Sequence, residues 1–290
     1  MPIAMLRNRL AHHLTSWSLW HGLLALLAIL LGSQLQVIVE LGAGLPAHWQ
    51  AVLRMLATPL QLIGSVVLAL ALLAWATGQW PTARDLALRH GLGRQELLLL
   101  AAVFVVTHVL FWMLAWGTST EGQAAALFRE MGLGQGTGQD LAILFSAVSL
   151  APVCEEILFR GIMLRAVHDH VQRRGYRHLA VVLALVVSAV AFAMPHLGDS
   201  LVGRLALAYL VTGLAFGLVY LWTGSLTAAM VSHALQSCYA FGSVLLFGRG
   251  ESEVSILAYV IISRMTKSDL PSKEHLDSVF RDPAADLKRA

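Results

Sequence analysis

Blocks of about twenty apolar residues constrain this chain more than any other feature. They run at 17–39, 55–77, 97–117, 139–164, 179–197, 205–222 and 225–247, the last interrupted by a few polar residues. About twenty residues of helix, rising about 1.5 Å each, cross about 30 Å of hydrocarbon. The expected fold is therefore all-α, a polytopic transmembrane helical bundle of seven or eight helices. The eighth depends on the apolar run at 254–262, too brief to span unaided, which would lie at the interface or re-enter. Only 13% of residues are charged, whereas soluble domains carry about 25%, so polar surface is too scarce to coat a water-soluble core. The blocks are continuous rather than alternating, which excludes a membrane β-barrel. Two cysteines, Cys154 and Cys238, exclude a disulfide framework and a cysteine-only metal cluster. The net charge of +3 is scattered, so the implied partner is the lipid bilayer and not nucleic acid.

Basic residues set the expected orientation. Arg7 and Arg9, then Arg84, Arg89 and Arg94, then Arg165, Arg173, Arg174 and Arg177 fall in alternate connections, and the intervening ones hold only Arg54, Arg129 and Arg204. The positive-inside rule then places the amino terminus in the cytoplasm of what reads as a bacterial inner (plasma) membrane protein. The first apolar run is longer than the h-region of a secretory signal and reads as an uncleaved span. Trp17, Trp20, Trp75, Trp80, Trp116 and Trp222 lie near run ends, where indole rings anchor at the headgroups. Gly132, Gly134, Gly136 and Gly138 lack the GxGxxG spacing and a following lysine, so they read as a connection. Histidines at run ends, His21 and His168 among them, are expected to be solvated or interfacial, and His108, inside the third run, to make an interhelical hydrogen bond. Three regions result: amino-terminal helices over 1–138 without a chemical motif, a helical core over 139–265, and a polar tail over 266–290.

The chemistry concentrates in Ala151-Pro-Val-Cys-Glu-Glu-Ile-Leu-Phe-Arg160. Each charged residue at mid-membrane costs about 2.5–3.5 kcal/mol to insert, so three of them mark function by default. On a helix Glu156 and Arg160, four apart, share a face with the acid amino-terminal, the favourable order for a structural ion pair. Glu155 points about 100° away and is left free to take a proton. Pro152 lacks an N–H, so the helix is expected to kink or restart there, with both glutamates in a new first turn at the positive end of its dipole.

Two later runs carry a histidine each. His196 ends Phe192-Ala-Met-Pro-His196, and His233 lies in Met230-Val-Ser-His-Ala-Leu-Gln-Ser-Cys238, with Ser237 one turn on along the same face. Amide hydrolysis inside a membrane needs a base, a stabiliser for developing negative charge and confined water; Glu155, His196 and His233 can supply the first two. The same three side chains form a possible zinc set, but neither histidine belongs to an HExxH helix pair, so metal-free chemistry without a cofactor is preferred.

Glu-Glu-x-x-x-Arg at Glu155, Glu156 and Arg160, Phe-x-x-x-His at Phe192 and His196, and the later His233 resemble the three motifs of the CPBP intramembrane proteases, which include CAAX-prenyl endopeptidases and bacterial Abi or bacteriocin self-immunity proteins. The resemblance covers about 139–247. It implies that Glu155 and His196 activate water for attack on a peptide carbonyl, and that His233 with an Asn four residues later stabilises the oxyanion. Ser237 stands at that fourth position; its hydroxyl donates one hydrogen bond with less reach than a carboxamide. The expected activity is an endopeptidase acting on a membrane-associated peptide or protein. The alternatives are a proton-coupled transporter using the same residues as a relay, against which the absence of a visible inverted repeat counts, and an inactive membrane scaffold.

Overall fold

The computed structural model describes residues 17–37, 41–89, 91–115, 137–196 and 204–247. Among them seven long helices form the bundle: α1 (Leu19–Ser33), α2 (Ala47–Thr77), α3 (Arg94–Ala115), α4 (residues 137–173), α5 (Arg177–Ala193), α6 (Arg204–Thr223) and α7 (Leu226–Phe247). Arg7, Arg9, Trp116, Arg129, the glycines at 132–136, the 254–262 run and the tail from 266 lie outside the described residues. Met55–Thr77, Asp140–Arg173 and Arg177–His196 are long and apolar enough to cross a membrane, and Leu19–Ser33 and Leu207–Thr223 are shorter apolar helices. Trp20, Trp75, Trp80 and Trp222 are exposed, as are many leucines and valines between them. In water such a surface would drive association; in a bilayer it faces acyl chains and headgroups.

Helix α4 is the hub: α1, α2, α5, α6 and α7 all pack on it. Its segment Ile157–Leu164 is buried at every position, Arg160 included. The expected restart at Pro152 does not occur. The helix passes from α-helical Thr137–Phe145 through a π-helical turn at Ser146–Leu150 into Ala151–Glu156. Ala151 N–H bonds back to Ser146 O, five residues earlier. This wider turn shifts the carbonyls that the Pro152 ring would otherwise meet, so the proline is absorbed without a restart. Glu155 and Glu156 therefore sit inside a continuous helix, not in a first turn. A second π-helical stretch follows at Ile157–Leu164, and Ser188 of α5 donates to the Phe159 carbonyl at 2.9 Å, pinning the widened backbone.

Small residues bring the other helices close. Gly22, Ala25, Ala28 and Gly32 are the buried stripe of α1, which lies against α2 and α4. Gly213 and Gly217 put a GxxxG pattern on α6 where it crosses α5. A Cβ at Gly213 would lie 3.0 Å from the Ala189 Cα, a backbone atom that cannot yield. Gly213→Ala is therefore expected to cost about 1–3 kcal/mol through overpacking, read as a lower Tm in detergent.

One end of the bundle gathers the start of α1, the 78–93 connection and the end of α4. Leu226 N–H at the start of α7 bonds Ala87 O at 2.9 Å, and Thr227 Oγ1 donates to Arg89 O at 2.9 Å. Arg165, read from sequence as a loop charge, is instead buried within α4, where it donates to Asp85 O. Trp17 likewise is buried rather than lipid-facing: Arg165 lies 5.2 Å from its ring, Asp169 Oδ2 accepts from its backbone N–H at 2.8 Å and Arg173 donates to its carbonyl at 2.7 Å. His168 is buried beside Asp169, with Nδ1 3.1 Å from Oδ1, not solvated. His21 caps α1 through Ser18 N–H at 2.8 Å. His108 Nδ1 lies 2.7 Å from Phe104 O of its own helix, and its ring meets Tyr239 of α7 at 4.4 Å. Polar groups that the linear pattern placed in connections thus tie α1 and the 78–93 segment to α4.

Candidate active site

Glu156 lies at the centre of the polar cluster. Arg160 Nη1 donates to its Oε1 at 2.8 Å, both side chains being fully buried one helical turn apart. Arg160 Nη2 donates to Gly213 O at 2.8 Å, and the guanidinium lies 4.6 Å from the Phe192 ring and 5.4 Å from that of Phe216. An arginine at this depth is thus held by a carboxylate, a backbone carbonyl and two aromatic rings.

The same Glu156 Oε1 lies 3.0 Å from Nδ1 of His233, brought in by α7. Linear spacing assigned Glu156 to Arg160 alone; the fold gives it a second partner 77 residues away. The His233 ring stacks on Phe216 at 4.6 Å and meets Phe192 edge to face at 5.6 Å. Its other nitrogen, Nε2, points at Glu155 Oε2 from 3.9 Å, beyond hydrogen-bond length. Glu155 Oε2 is buried with no hydrogen-bond partner among the described residues. Glu156 Oε1 is thus bonded on two sides, and its Oε2 is buried without a hydrogen-bond partner among the described residues; what sets Glu155 apart is that its unpaired Oε2 faces the His233 Nε2.

His196 stands at the edge of this group. The Met194–His196 turn of 3₁₀ helix continues α5, and the ring stacks on Tyr209 of α6 at 4.4 Å. Its Nδ1 bonds Phe192 O at 2.8 Å, which leaves Nε2 for other contacts. Phe192 touches the His196 ring at 5.0 Å as well as that of His233, so one side chain spaces the two histidines. Ser237 is half-buried on α7, and the neighbouring Gln236 is buried with its Nε2 unpartnered. Among the described residues no three His, Cys, Asp or Glu side chains converge to hold an ion.

The sequence reading missed the Glu156–His233 bond, the Tyr209 stack and the π-helical turns. The first two join residues distant in the chain and leave no linear signal. Pro152 inside an otherwise unbroken apolar block was a signal for the π turn, since such a block must absorb a proline locally or lose its helix.

Residues 137–239 match the model of the Rce1-like type II CAAX prenyl endopeptidases. The membrane-embedded CAAX protease MroQ of Staphylococcus aureus (strain USA300) is 28% identical over 104 residues, which are 36% of this chain and 38% of that protein. The chain thus aligns with little more than a third of this relative's length. No solved structure matches it. The matched stretch holds Glu155, Glu156, Arg160, His196, His233 and Ser237, so over 137–239 this integral membrane protein is similar to the Rce1-like type II CAAX prenyl endopeptidases.

Proposed function

We propose that the protein is an intramembrane endopeptidase that hydrolyses a peptide bond in a membrane-associated peptide or protein. The observation that carries this reading is the unpaired, buried Glu155 Oε2 facing the Nε2 of a histidine fixed from behind by Glu156. In water Glu155 would be solvated; here its free oxygen has a use only when a water or substrate arrives.

In the proposed reaction Glu155 takes a proton from a water that His196 Nε2 helps orient. The resulting hydroxide attacks the scissile carbonyl carbon. His233, with Nδ1 tied to Glu156, presents Nε2–H to the oxygen that becomes negative. The C–N bond then breaks, and the proton held by Glu155 passes to the leaving nitrogen, restoring the carboxylate. Ser237 adds at most a short second donor. Arg160 and Glu156 touch no reacting atom and act as positioning residues. His233 lies seven residues into α7, about 10 Å down the helix from the end that holds the basic connections. We take that end as cytoplasmic, in a bacterial plasma membrane, with the amino terminus on the same side, so that substrates reach the site from the cytoplasmic leaflet.

The test is cleavage of a library of fluorescence-quenched peptides, anchored by acyl or prenyl chains in liposomes that contain the purified full chain. Mass spectrometry should find new peptide termini with parent protein and none with Glu155→Gln. Proton-coupled uptake into the same liposomes, without cleavage, would replace this reading by a transporter. The mechanism runs without an ion, so exhaustive chelation, verified by elemental analysis, should leave turnover intact. Loss of turnover that only zinc restores would make His196 and His233 ligands.

A further inference from the structure

We propose that the second oxyanion donor of this site is the carboxamide of Gln236, not the hydroxyl of Ser237; the inference rests on the endopeptidase reading above. Gln236 is only 8% exposed, and its Nε2 is buried with no hydrogen-bond partner among the described residues. Buried amide donors are nearly always paired, so an unpaired one requires an explanation. Glu155 Oε2, 3.9 Å from the His233 Nε2, and Glu156 Oε2 are also buried without a hydrogen-bond partner. Gln236 thus holds a lone donor three residues after His233 on α7, and Glu155 on α4 holds a lone acceptor that faces the same imidazole. A peptide bond with its attacking water supplies the complement of each: an oxygen that accepts and a proton that is given up.

Helix geometry favours Gln236 for this task. Residues three and four after His233 lie about 60° to one side and about 40° to the other, so both border its face. Helical side chains lean towards the preceding turn. A glutamine is long enough to carry its amide back to the level of the His233 ring, whereas a serine hydroxyl stops one bond beyond Cβ. Ser237 is half-buried, and Gln236 is the more enclosed of the two. A hydrogen bond to a developing oxyanion gains most from a dry, fixed donor.

The test compares Gln236→Met, which keeps the side-chain length and removes the donor, with Ser237→Ala and Glu155→Gln on the best-cleaved peptide of the library. Gln236→Met should lower kcat about 100-fold or more with KM changed less than about threefold, because the contact is made in the transition state. Its Tm should equal or exceed the parent's, since an unpartnered polar group has left the interior. Ser237→Ala should lower kcat by a smaller factor. A Gln236→Met protein with kcat within threefold of the parent, or one whose kcat falls only together with Tm, overturns the assignment. Cleavage that persists in Glu155→Gln would instead overturn the endopeptidase reading itself, so the two failures are distinguishable.

Discussion

Glu155→Gln should abolish cleavage while leaving the protein as stable as the parent or more so. The substitution is isosteric and removes the carboxylate that accepts the water's proton; a positioned base contributes about 10² to 10⁴ in rate. Stability should not suffer, because Oε2 has no hydrogen-bond partner to lose. An unpaired buried carboxylate is costly, and a neutral amide reduces that cost. The measurement is turnover of the liposome peptides beside a thermal melt of the same preparation. A melt lowered by several degrees would mean that Glu155 carries structural bonds, and turnover at the parent's rate would remove it as the base.

The opposite signature is expected one residue on. Glu156→Gln and Arg160→Met each strand a partner at 0% exposure, and breaking a buried pair by removing one member costs about 3–5 kcal/mol. The whole net stability of a typical domain is about 5–15 kcal/mol, so folded yield should fall sharply for either variant. The double variant Glu156→Gln/Arg160→Met carries no buried charge of this pair and should recover much of the lost stability. It should not recover activity, since His233 Nδ1 then faces a neutral amide in place of the carboxylate 3.0 Å away. Recovery of both properties together would show that Glu156 has no part in holding His233. Chromatographic yield and melts report the first property, and kcat reports the second.

Much of the architecture was legible because membrane helices announce themselves locally. A block of apolar residues long enough to cross hydrocarbon has to satisfy its backbone within the segment, and the seven blocks reappear as α1 to α7. The charges inside those blocks were legible for the same reason, since the bilayer makes each of them conspicuous. The restart expected at Pro152 did not materialise because the rule applied to it concerned α-helices alone, and the chain used a π turn. Trp17, Arg165 and His168 were misread because position near a run end was equated with the headgroup level. In the fold they are buried together where α1 meets α4.

What the sequence by itself determined is the set of elements and the pairing that one helix can make alone. Glu156 and Arg160 are four residues apart, and any helix through them brings them together. Only the tertiary structure decided the different fates of the two glutamates. His233 arrives from α7 onto Glu156, Gly213 arrives from α6 onto Arg160, and Phe192 and Phe216 wall the cluster. Each of these contacts depends on how close two helices approach and at what rotation. Small residues such as Gly213 set that distance through packing across the interface. Such contacts join residues 53 and 77 positions apart, a separation over which no periodicity in the chain carries information.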